Sequence, residues 1–416
     1  MNSGAAIPGA TSDPDLPPAR TSMCGRSPGQ TAIQGSLAIP AIPLSLYLHF
    51  PWCVQKCPYC DFNSHALRGE APEDAYVEAL VRDLEHELGE PEQRPLVSIF
   101  MGGGTPSLFS GRAIGRVLEA VSKRLAFAPD IEITLEANPG TADASHFRGY
   151  RAAGINRLSI GVQSLDAAQL KKLGRIHDPG QAVEALRLAR DAGFDNVNLD
   201  LMFALPQQAE AQALADLDGV LALQPEHVSW YQLTLEPNTE FAARPPPLPD
   251  DDAVAAMFDA GQARLADAGY AQYEVSAYAR PGRRARHNLN YWEFGDYLGI
   301  GAGAHGKRSG PAGVARRARH KHPKRYQEHA GTEAAVQEQR LLSAEEMPVE
   351  FMLNVLRLNA GVPASLWEAR TGLPLSALNA PMAEARRLGL MDPDPALLRP
   401  TALGHRHLNR LLELFL

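Results

Sequence analysis

The sequence His49-Phe-Pro-Trp-Cys53-Val-Gln-Lys-Cys57-Pro-Tyr-Cys60-Asp-Phe-Asn63 places three cysteines within eight residues. It overlaps the end of Leu44–Phe50, a short apolar run typical of a strand that is buried on both faces. The cysteines therefore lie on the loop at the carboxyl end of a strand, where barrel enzymes place their chemistry. Three closely spaced thiolates can bind three irons of an iron–sulfur cube and leave the fourth iron open.

Two other interpretations of these cysteines stay open on their spacing alone. Cys57-Pro-Tyr-Cys60 is also the spacing of a redox dithiol, although Cys53 would then have no role. The three cysteines together with His49 or His65 could instead hold a structural zinc ion. The motifs that follow favour the cluster.

The bulk composition predicts a cytoplasmic globular protein of two or three domains. The chain has 416 residues, of which 45% are hydrophobic and 21% charged, with a formal net charge of −8. This mildly acidic balance argues against a broad nucleic-acid interface. No run approaches the roughly 20 apolar residues of a membrane span. Residues 1–43 lack the apolar core of a signal peptide. We predict a disordered leader there, with a free thiol at Cys24 and Met23 as a second candidate initiator.

Short apolar runs alternate with helical patterns along the rest of the chain. Between the first two runs, Tyr76, Leu80 and Leu84 recur at helical spacing before Gly89. Repeated strand–helix–strand order implies parallel strands with right-handed crossovers. We predict an α/β fold, a partial (β/α)6 barrel of the TIM type, with a doubly wound open sheet as the alternative. The six predicted strands cover residues 44–50, 96–101, 131–137, 157–162, 197–202 and 227–233.

Changes in composition divide the chain into segments. The barrel is predicted over residues 44–305. Residues 306–342 are dense in Lys, Arg, His, Gly and Pro, which predicts a basic linker or loop. Residues 343–416 have helical patterns and one hairpin around Asp392-Pro-Asp-Pro395. We predict a small, mainly helical C-terminal domain there, similar to a winged helix.

A glycine motif follows the second predicted strand. Met101-Gly-Gly-Gly-Thr-Pro106 would let the backbone approach a ligand closely and present its N–H groups. No Gly-Lys-Ser/Thr follows, so it is not a P-loop. A second run, Gly299-Ile-Gly-Ala-Gly-Ala-His-Gly306, contains G-x-G-x-x-G, but a basic loop follows it and we reject a dinucleotide site. We expect this run to pack a strand end near the mouth of the barrel.

Polar side chains stand at the ends of the later strands. Glu136, Gln163 and Asp200 lie at or near these ends, and Arg175 follows in Lys172-Leu-Gly-Arg-Ile-His. A carboxylate on a buried strand is costly unless it is paired. We therefore expect Glu136 and Asp200 to bind a ligand. The alternative is that they pair with one another or with Arg157.

Together these motifs resemble the radical S-adenosylmethionine (SAM) superfamily. Its signature is C-x3-C-x2-C after a strand, which Cys53, Cys57 and Cys60 match. The resemblance implies a [4Fe–4S] cluster whose open iron binds the amino and carboxylate groups of SAM. It also implies that one electron can cleave the sulfonium to a 5′-deoxyadenosyl radical.

The resemblance implies a set of residues that bind SAM. Arg175 would pair with the carboxylate of SAM, a planar fork on a planar anion. Asp200 would accept hydrogen bonds from the ribose hydroxyls, and Glu136 and Gln163 would fix the amino acid or ribose end. The glycine motif would hold the amino group, and two tyrosines would flank the cluster and pack on it or on the adenine. The full set is Tyr47, Tyr59, Gly103, Gly104, Thr105, Glu136, Gln163, Arg175 and Asp200.

From about residue 44 onward the chain resembles the HemN-like branch of the superfamily, and within it a family of haem chaperones. Coproporphyrinogen III oxidases of this branch carry a fourth cysteine two residues after the third, where this chain has Phe62. Arg286-His-Asn-Leu-Asn-Tyr-Trp292 resembles the H-N-x-x-Y-W haem motif of the chaperones. The resemblance implies that His287 is an axial haem ligand. Tyr291 and Trp292 would offer flat surface to the porphyrin, and the arginines before them would meet its propionates.

The resemblance therefore implies a chaperone that binds haem, a [4Fe–4S] cluster and SAM, and hands haem to acceptor proteins such as respiratory haem enzymes. No nucleic-acid partner is expected, while peripheral membrane contact is possible. The alternative is an oxygen-independent coproporphyrinogen III oxidase that uses the 5′-deoxyadenosyl radical. A third interpretation, a zinc-stabilised interaction protein, predicts a colourless preparation. Ala204 and Ala302 depart from the family pattern but are not proposed ligands.

Overall fold

All six predicted strands form, and each begins or ends within a few residues of its predicted bounds. A computed structural model describes residues 42–89, 92–141 and 143–416 of the chain. The predicted leader, with Met23 and Cys24, lies outside the described residues apart from its last two positions.

The strands are β1 (Leu44–Phe50), β2 (Trp52–Cys53), β3 (His65–Ala66), β4 (Leu96–Gly103), β5 (Phe127–Ala137), β6 (Arg157–Gln163), β7 (Val197–Phe203), β8 (His227–Gln232), β9 (Ala271–Glu274), β10 (Ala277–Ala279), β11 (Asp296–Ile300), β12 (His305–Gly310), β13 (Gly313–Arg319), β14 (Val336–Leu341), β15 (Val362–Pro363) and β16 (Leu397–Leu398). The helices are α1 (Glu73–Leu88), α2 (Gly111–Ser122), α3 (Ala144–Ala153), α4 (Ala167–Lys172), α5 (Pro179–Asp191), α6 (Glu210–Ala222), α7 (Glu240–Ala243), α8 (Asp251–Asp267), α9 (Arg286–Trp292), α10 (Pro323–His329), α11 (Met347–Val355), α12 (Ser365–Thr371), α13 (Asn379–Arg387), α14 (Ala402–Arg406) and α15 (Leu408–Leu412).

Six parallel strands lie side by side in the order β1-β4-β5-β6-β7-β8, which confirms the partial (β/α)6 architecture. Helices follow most of these strands, as the predicted strand–helix repeat requires. Leu46 and Leu48 of β1 point outward and are completely buried in the main core, together with Tyr76 and Leu80 of α1. The alternate residues of each strand face the interior of the barrel, here called the lumen.

The prediction of a loop over residues 306–342 is wrong. This segment forms β12, β13, α10 and β14, and the three strands extend the sheet antiparallel beyond β11. Several of its charges are paired. Arg319 is 1% exposed and donates to Asp83 at 2.8 Å and to Glu87 at 2.5 Å, both on α1. Arg317 also binds Glu87, at 3.0 Å. The basic composition therefore reflects partners more than 200 residues earlier in the chain.

The C-terminal helices α11–α15 bury a core of their own, centred on Phe351 and Trp367. Phe294, from the end of the predicted barrel segment, belongs to the same core. Arg357 also binds Glu274 of β9 at 3.0 Å. Residues 42–416 consequently form one compact unit. A bridge between Met391 and Pro400 closes the hairpin predicted around residues 392–395.

Among the residues that the structure describes, no helix is long and apolar enough to cross a lipid bilayer.

Two helical glycines allow a test of the packing outside the lumen. A Cβ on Gly261 of α8 would overlap the buried indole of Trp230, whereas one on Gly115 of α2 would lie 3.6 Å from Ala153 Cβ. We expect Gly261→Ala to lower the free energy of unfolding by about 1–3 kcal/mol. We expect Gly115→Ala to raise it by about 0.5–1 kcal/mol, since alanine is the better helix former. Urea denaturation followed by circular dichroism measures both, and an equal effect of the two changes would contradict this packing.

Candidate functional site

The three cysteines lie on a loop that is fixed at both ends, here called the cluster loop (residues 51–66). The loop closes where β2 pairs with β3. The glycine motif packs under it, with Gly104 N donating to Phe50 O at 2.7 Å and Thr105 N donating to Trp52 O at 2.7 Å. Gly301 and Gly303 support it from the other side, because a Cβ on either would overlap His49 or Asn63. The second glycine run thus packs near the mouth of the barrel, as expected.

Cys53, Cys57 and Cys60 are all partly buried. Thr105 Oγ1 donates to Cys53 Sγ at 3.4 Å, and Arg175 Nη1 donates to Cys57 Sγ at 3.7 Å. Burial raises the pKa of the Cys53 thiol and raises the pKa of the Cys60 thiol to about 11. A thiolate here needs added positive charge, and bound metal supplies such charge.

Within residues 42–89, 92–141 and 143–416, no three His, Cys, Asp or Glu side chains converge on a single metal position. A structural zinc site would need four ligands around one ion. An iron–sulfur cube spreads its ligands over separate irons and does not need them to converge. The thiol donor set and the loop position therefore fit a cluster.

The glycine motif is required by close packing. Gly103 has φ +108°, and a Cβ there would overlap the His49 imidazole. A Cβ on Gly104 would lie 2.5 Å from Trp52 O. Gly103 N donates to Glu136 Oε2 at 3.1 Å. These contacts account for the glycines without a ligand, so their role in holding SAM stays a prediction.

Glu136 of β5 and Asp200 of β7 lie on the two strands that flank β6, near the carboxyl ends of those strands. Asp200 accepts from Asn198 Nδ2 at 2.8 Å and from Ser159 Oγ at 3.0 Å, so its partners are neutral groups and not the Arg157 guanidinium. Burial raises the pKa of Asp200. Burial and the charge of Asp200 raise the pKa of Glu136 to about 7. Two carboxylates held without a cation are suited to bind an ammonium group or hydroxyls.

Gln163 and Arg175 lie on the same rim. Gln163 has φ +66° and accepts a hydrogen bond from Tyr231 at 2.6 Å, a contact that sequence reasoning missed. Arg175 Nη2 donates to Gly161 O at 2.8 Å, and its buried Nε has no partner. An open cavity of about 410 Å³ beside Arg175 shares only this residue with the predicted SAM set.

The two predicted tyrosines have different surroundings. Tyr59 lies on the cluster loop itself, with its ring 6.4 Å from that of Phe241. Tyr47 is deeper in the lumen, stacked on Phe100 at 6.0 Å. It reaches the cluster loop only through His49, whose Nδ1 bonds the Tyr47 hydroxyl and whose Nε2 bonds a loop carbonyl, each at 2.8 Å.

His287 is buried in the part of the lumen that lies away from the cluster loop. Its Nδ1 bonds Glu132 Oε1 at 2.5 Å, its ring stacks on Phe100 at 4.3 Å, and it is 3% exposed. Glu132 also accepts from the backbone N–H groups of Arg286 and His287, so one carboxylate caps the start of α9. Sequence reasoning missed Glu132, although it shares a lumen face with Glu136 at even spacing along β5.

The charges of this pair follow from their surroundings. Burial opposes ionisation of Glu132, but the hydrogen bond from His287 and the charge of Arg157 hold the pKa of its carboxyl well below the usual range. Burial lowers the pKa of His287 despite the adjacent carboxylate. The arrangement is an ionised Glu132 that accepts from the Nδ1–H of a neutral imidazole. The Nε2 lone pair then remains for a metal, as in the carboxylate–histidine pairs of metal sites.

The arginines before His287 lie outside the lumen. Arg286 binds Asp130 at 2.5 Å, Arg283 binds Asp195 at 3.7 Å, and Arg284 is exposed. Asp195 and Asp130 therefore offset the charges of Arg283 and Arg286, while Arg284 is exposed just before α9. The imidazole donor fits a haem iron, but it is enclosed, so contact with haem requires that α9 or Phe100 move.

Comparison with known proteins agrees with this geometry. Residues 47–218 match the model of the radical SAM superfamily, and residues 342–406 match the HemN C-terminal domain. The structure resembles coproporphyrinogen III oxidase HemN from Escherichia coli, with a TM-score of 0.76, 24% identity and 90% of each chain covered. The fold and the cluster loop are those of a radical SAM protein.

Curated relatives identify the branch. The chain is 50% identical over 375 residues to "Heme chaperone HemW" of Escherichia coli (strain K12), covering 90% of this chain and 98% of that protein. It is 48% identical over 379 residues to the HemW of Haemophilus influenzae, with the same coverage. The chain belongs to the HemW family of radical SAM proteins.

The pKa of Glu136 predicts a specific dependence of stability on pH. The folded state favours the protonated carboxyl, so the stability that Glu136 contributes is complete below about pH 4.5 and is lost as the pH rises through 7. We expect the stability of Glu136→Gln relative to the native chain to increase by about 2–3 kcal/mol from pH 4.5 to pH 7.5. Glu78→Gln, at an exposed site of α1, is the control. A difference in urea denaturation that does not change with pH would refute the shift.

Proposed function

We propose that this protein is a haem chaperone that binds a [4Fe–4S] cluster, SAM and haem, and transfers haem to acceptor proteins in the cytoplasm. The observation that carries the proposal is the pair His287–Glu132, a metal-ready imidazole in the same barrel whose rim bears the cluster loop. The relatives named haem chaperone HemW support it.

Cys53, Cys57 and Cys60 would hold the cluster. When bound, the cluster supplies an open iron for SAM and one-electron chemistry. Thr105 and Arg175 donate to two of the three sulfurs, which stabilises their thiolate form. The cluster loop cannot shift freely, because the glycine motif and Asn63 tie it to the sheet; Asn63 Nδ2 donates to Ala302 O at 2.9 Å.

SAM would bind beside the cluster loop, between the carboxylates of Glu136 and Asp200 and the guanidinium of Arg175. Glu136 and Asp200 offer carboxylate oxygens to the ammonium and hydroxyl groups of SAM. Arg175 offers a guanidinium, whose Nε is buried without a partner, to its carboxylate. This charge distribution is complementary to a zwitterionic amino acid with an attached ribose.

Haem would bind at the outer side of α9. The exposed Arg284 suits a propionate group there. His287 would provide its Nε2 once α9 has moved, and Glu132 would keep the imidazole in the required tautomer. Phe62, half-exposed on the cluster loop, stands where the oxidases carry a further cysteine. We therefore expect transfer of haem and not oxidation of a porphyrinogen.

The cluster assignment predicts which thiols hold iron. Cys53→Ser, Cys57→Ser and Cys60→Ser should each abolish the brown absorbance and most of the bound iron after anaerobic reconstitution. The reason is that each thiolate binds a separate iron. Cys24→Ser should keep the full iron content. Iron analysis and absorbance spectra measure this, and a cluster retained in the triple variant would contradict the assignment.

The haem assignment predicts graded losses of affinity. His287→Ala should weaken haem binding at least tenfold, and Glu132→Gln should weaken it by about 10–100-fold through the lost orientation of the imidazole. His407→Ala, an exposed histidine of the C-terminal domain, is the control. Absorbance titration with haem measures the affinity, and incubation with coproporphyrinogen III under reducing conditions measures turnover. Unchanged haem affinity in His287→Ala, or efficient turnover, would overturn the proposal.

A further inference from the structure

A continuous series of buried hydrogen bonds runs through the lumen from Asp200 to α9. Asn198 Nδ2 lies 2.8 Å from Asp200 Oδ1, and His227 Nδ1 lies 2.6 Å from Asn198 Oδ1. His227 Nε2 lies 2.9 Å from the Tyr273 hydroxyl, which accepts from Asn288 Nδ2 at 3.1 Å. We call these five residues the lumen relay. Each is at most 9% exposed.

The chemistry of the relay fixes its direction. A carboxylate only accepts, so the amide nitrogen of Asn198 must face Asp200 and the amide oxygen must face His227. His227 therefore donates from Nδ1 and accepts at Nε2 from the Tyr273 hydroxyl. Burial holds the pKa of His227 well below its usual range, so the ring is neutral with a single tautomer. Every donor in the relay points away from α9 and toward Asp200.

The middle of the relay has no role in the proposed sites. Asn198, His227 and Tyr273 are not among the residues proposed to bind the cluster, SAM or haem, yet their polar groups are buried, which is costly unless each is satisfied. A fully satisfied buried network defines one arrangement, and its bonds strengthen one another. A change at one end of the relay must therefore be accommodated at the other.

We propose that the lumen relay links SAM binding at Asp200 to haem binding at α9, with Asn198, His227 and Tyr273 as positioning residues. This inference rests on the proposed function. The two states are α9 seated, with the Asn288–Tyr273 bond made, and α9 displaced, with His287 reachable. Ribose hydroxyls of SAM that donate to Asp200 weaken the hydrogen bond between Asp200 and Asn198. This destabilises the state in which α9 is seated. SAM therefore favours haem binding, and haem favours SAM binding by the same factor.

The experiment uses anaerobically reconstituted protein and measures the haem Kd with and without saturating SAM. In the native chain we expect SAM to tighten haem binding about fivefold or more. In Tyr273→Phe, which removes one hydroxyl from the relay, the ratio of the haem Kd without SAM to the haem Kd with SAM should fall to about one. Tyr270→Phe is the matched control, because its buried hydroxyl bonds Pro225 O at 2.6 Å outside the relay. It should lose comparable stability but keep the ratio.

The outcomes separate the inference from the proposed function. If SAM does not change the haem Kd of the native chain, or changes it as strongly in Tyr273→Phe as in the native chain, the proposed coupling through the relay is overturned, while haem binding itself stands. If the native chain binds no haem, the proposed function fails, and SAM affinity alone then decides the relay. In that case Tyr273→Phe, in which the seated state is already loosened, should bind SAM at least about threefold more tightly than Tyr270→Phe. Equal SAM affinities would overturn the inference.

Discussion

The parallel alignment of six strands is the constraint on which the rest of the structure depends. Because β1 and β4–β8 all run in one direction, their carboxyl ends meet at a single rim. Groups that are far apart in the chain, such as the thiols at 53–60, Glu136 and Arg175, are thereby brought to one place. The positions of the cluster loop, the glycine motif and the residues predicted to bind SAM are consequences of that shared direction.

The lumen differs from the interior of a barrel filled by branched apolar side chains. Its strands contribute Glu132, Glu136, Asp200 and His227, all buried or nearly so, and each has a hydrogen-bond partner. Such a lumen costs folding energy that apolar side chains would not. The outward faces offset this cost, since Leu46, Leu48 and their neighbours form a continuous core with the surrounding helices.

Sequence patterns were sufficient for the strands because strands buried on both faces are recognisable as short apolar runs. The cluster loop was equally predictable from the sequence, since its cysteines are close together in the chain. The strands of residues 306–342 were not, because the carboxylates that pair with Arg317 and Arg319 belong to α1. Glu132, in the middle of β5, and His227, the first residue of β8, were missed, although their even spacing along these strands with other lumen residues carried the signal. The enclosure of His287 depends on Phe100, which no local pattern connects to it.

The position of β1 in the sheet has a consequence for synthesis of the protein. One neighbour of β1 is β4, but the other is β11, which begins about 250 residues after β1 in the chain. At translation rates of roughly 5–20 residues per second, one edge of β1 stays unpaired for about 12–50 s on the ribosome. The strand that precedes the thiols is therefore completed late. A nascent chain that acquired iron before that time would do so on an unfinished scaffold, which favours metal loading after release.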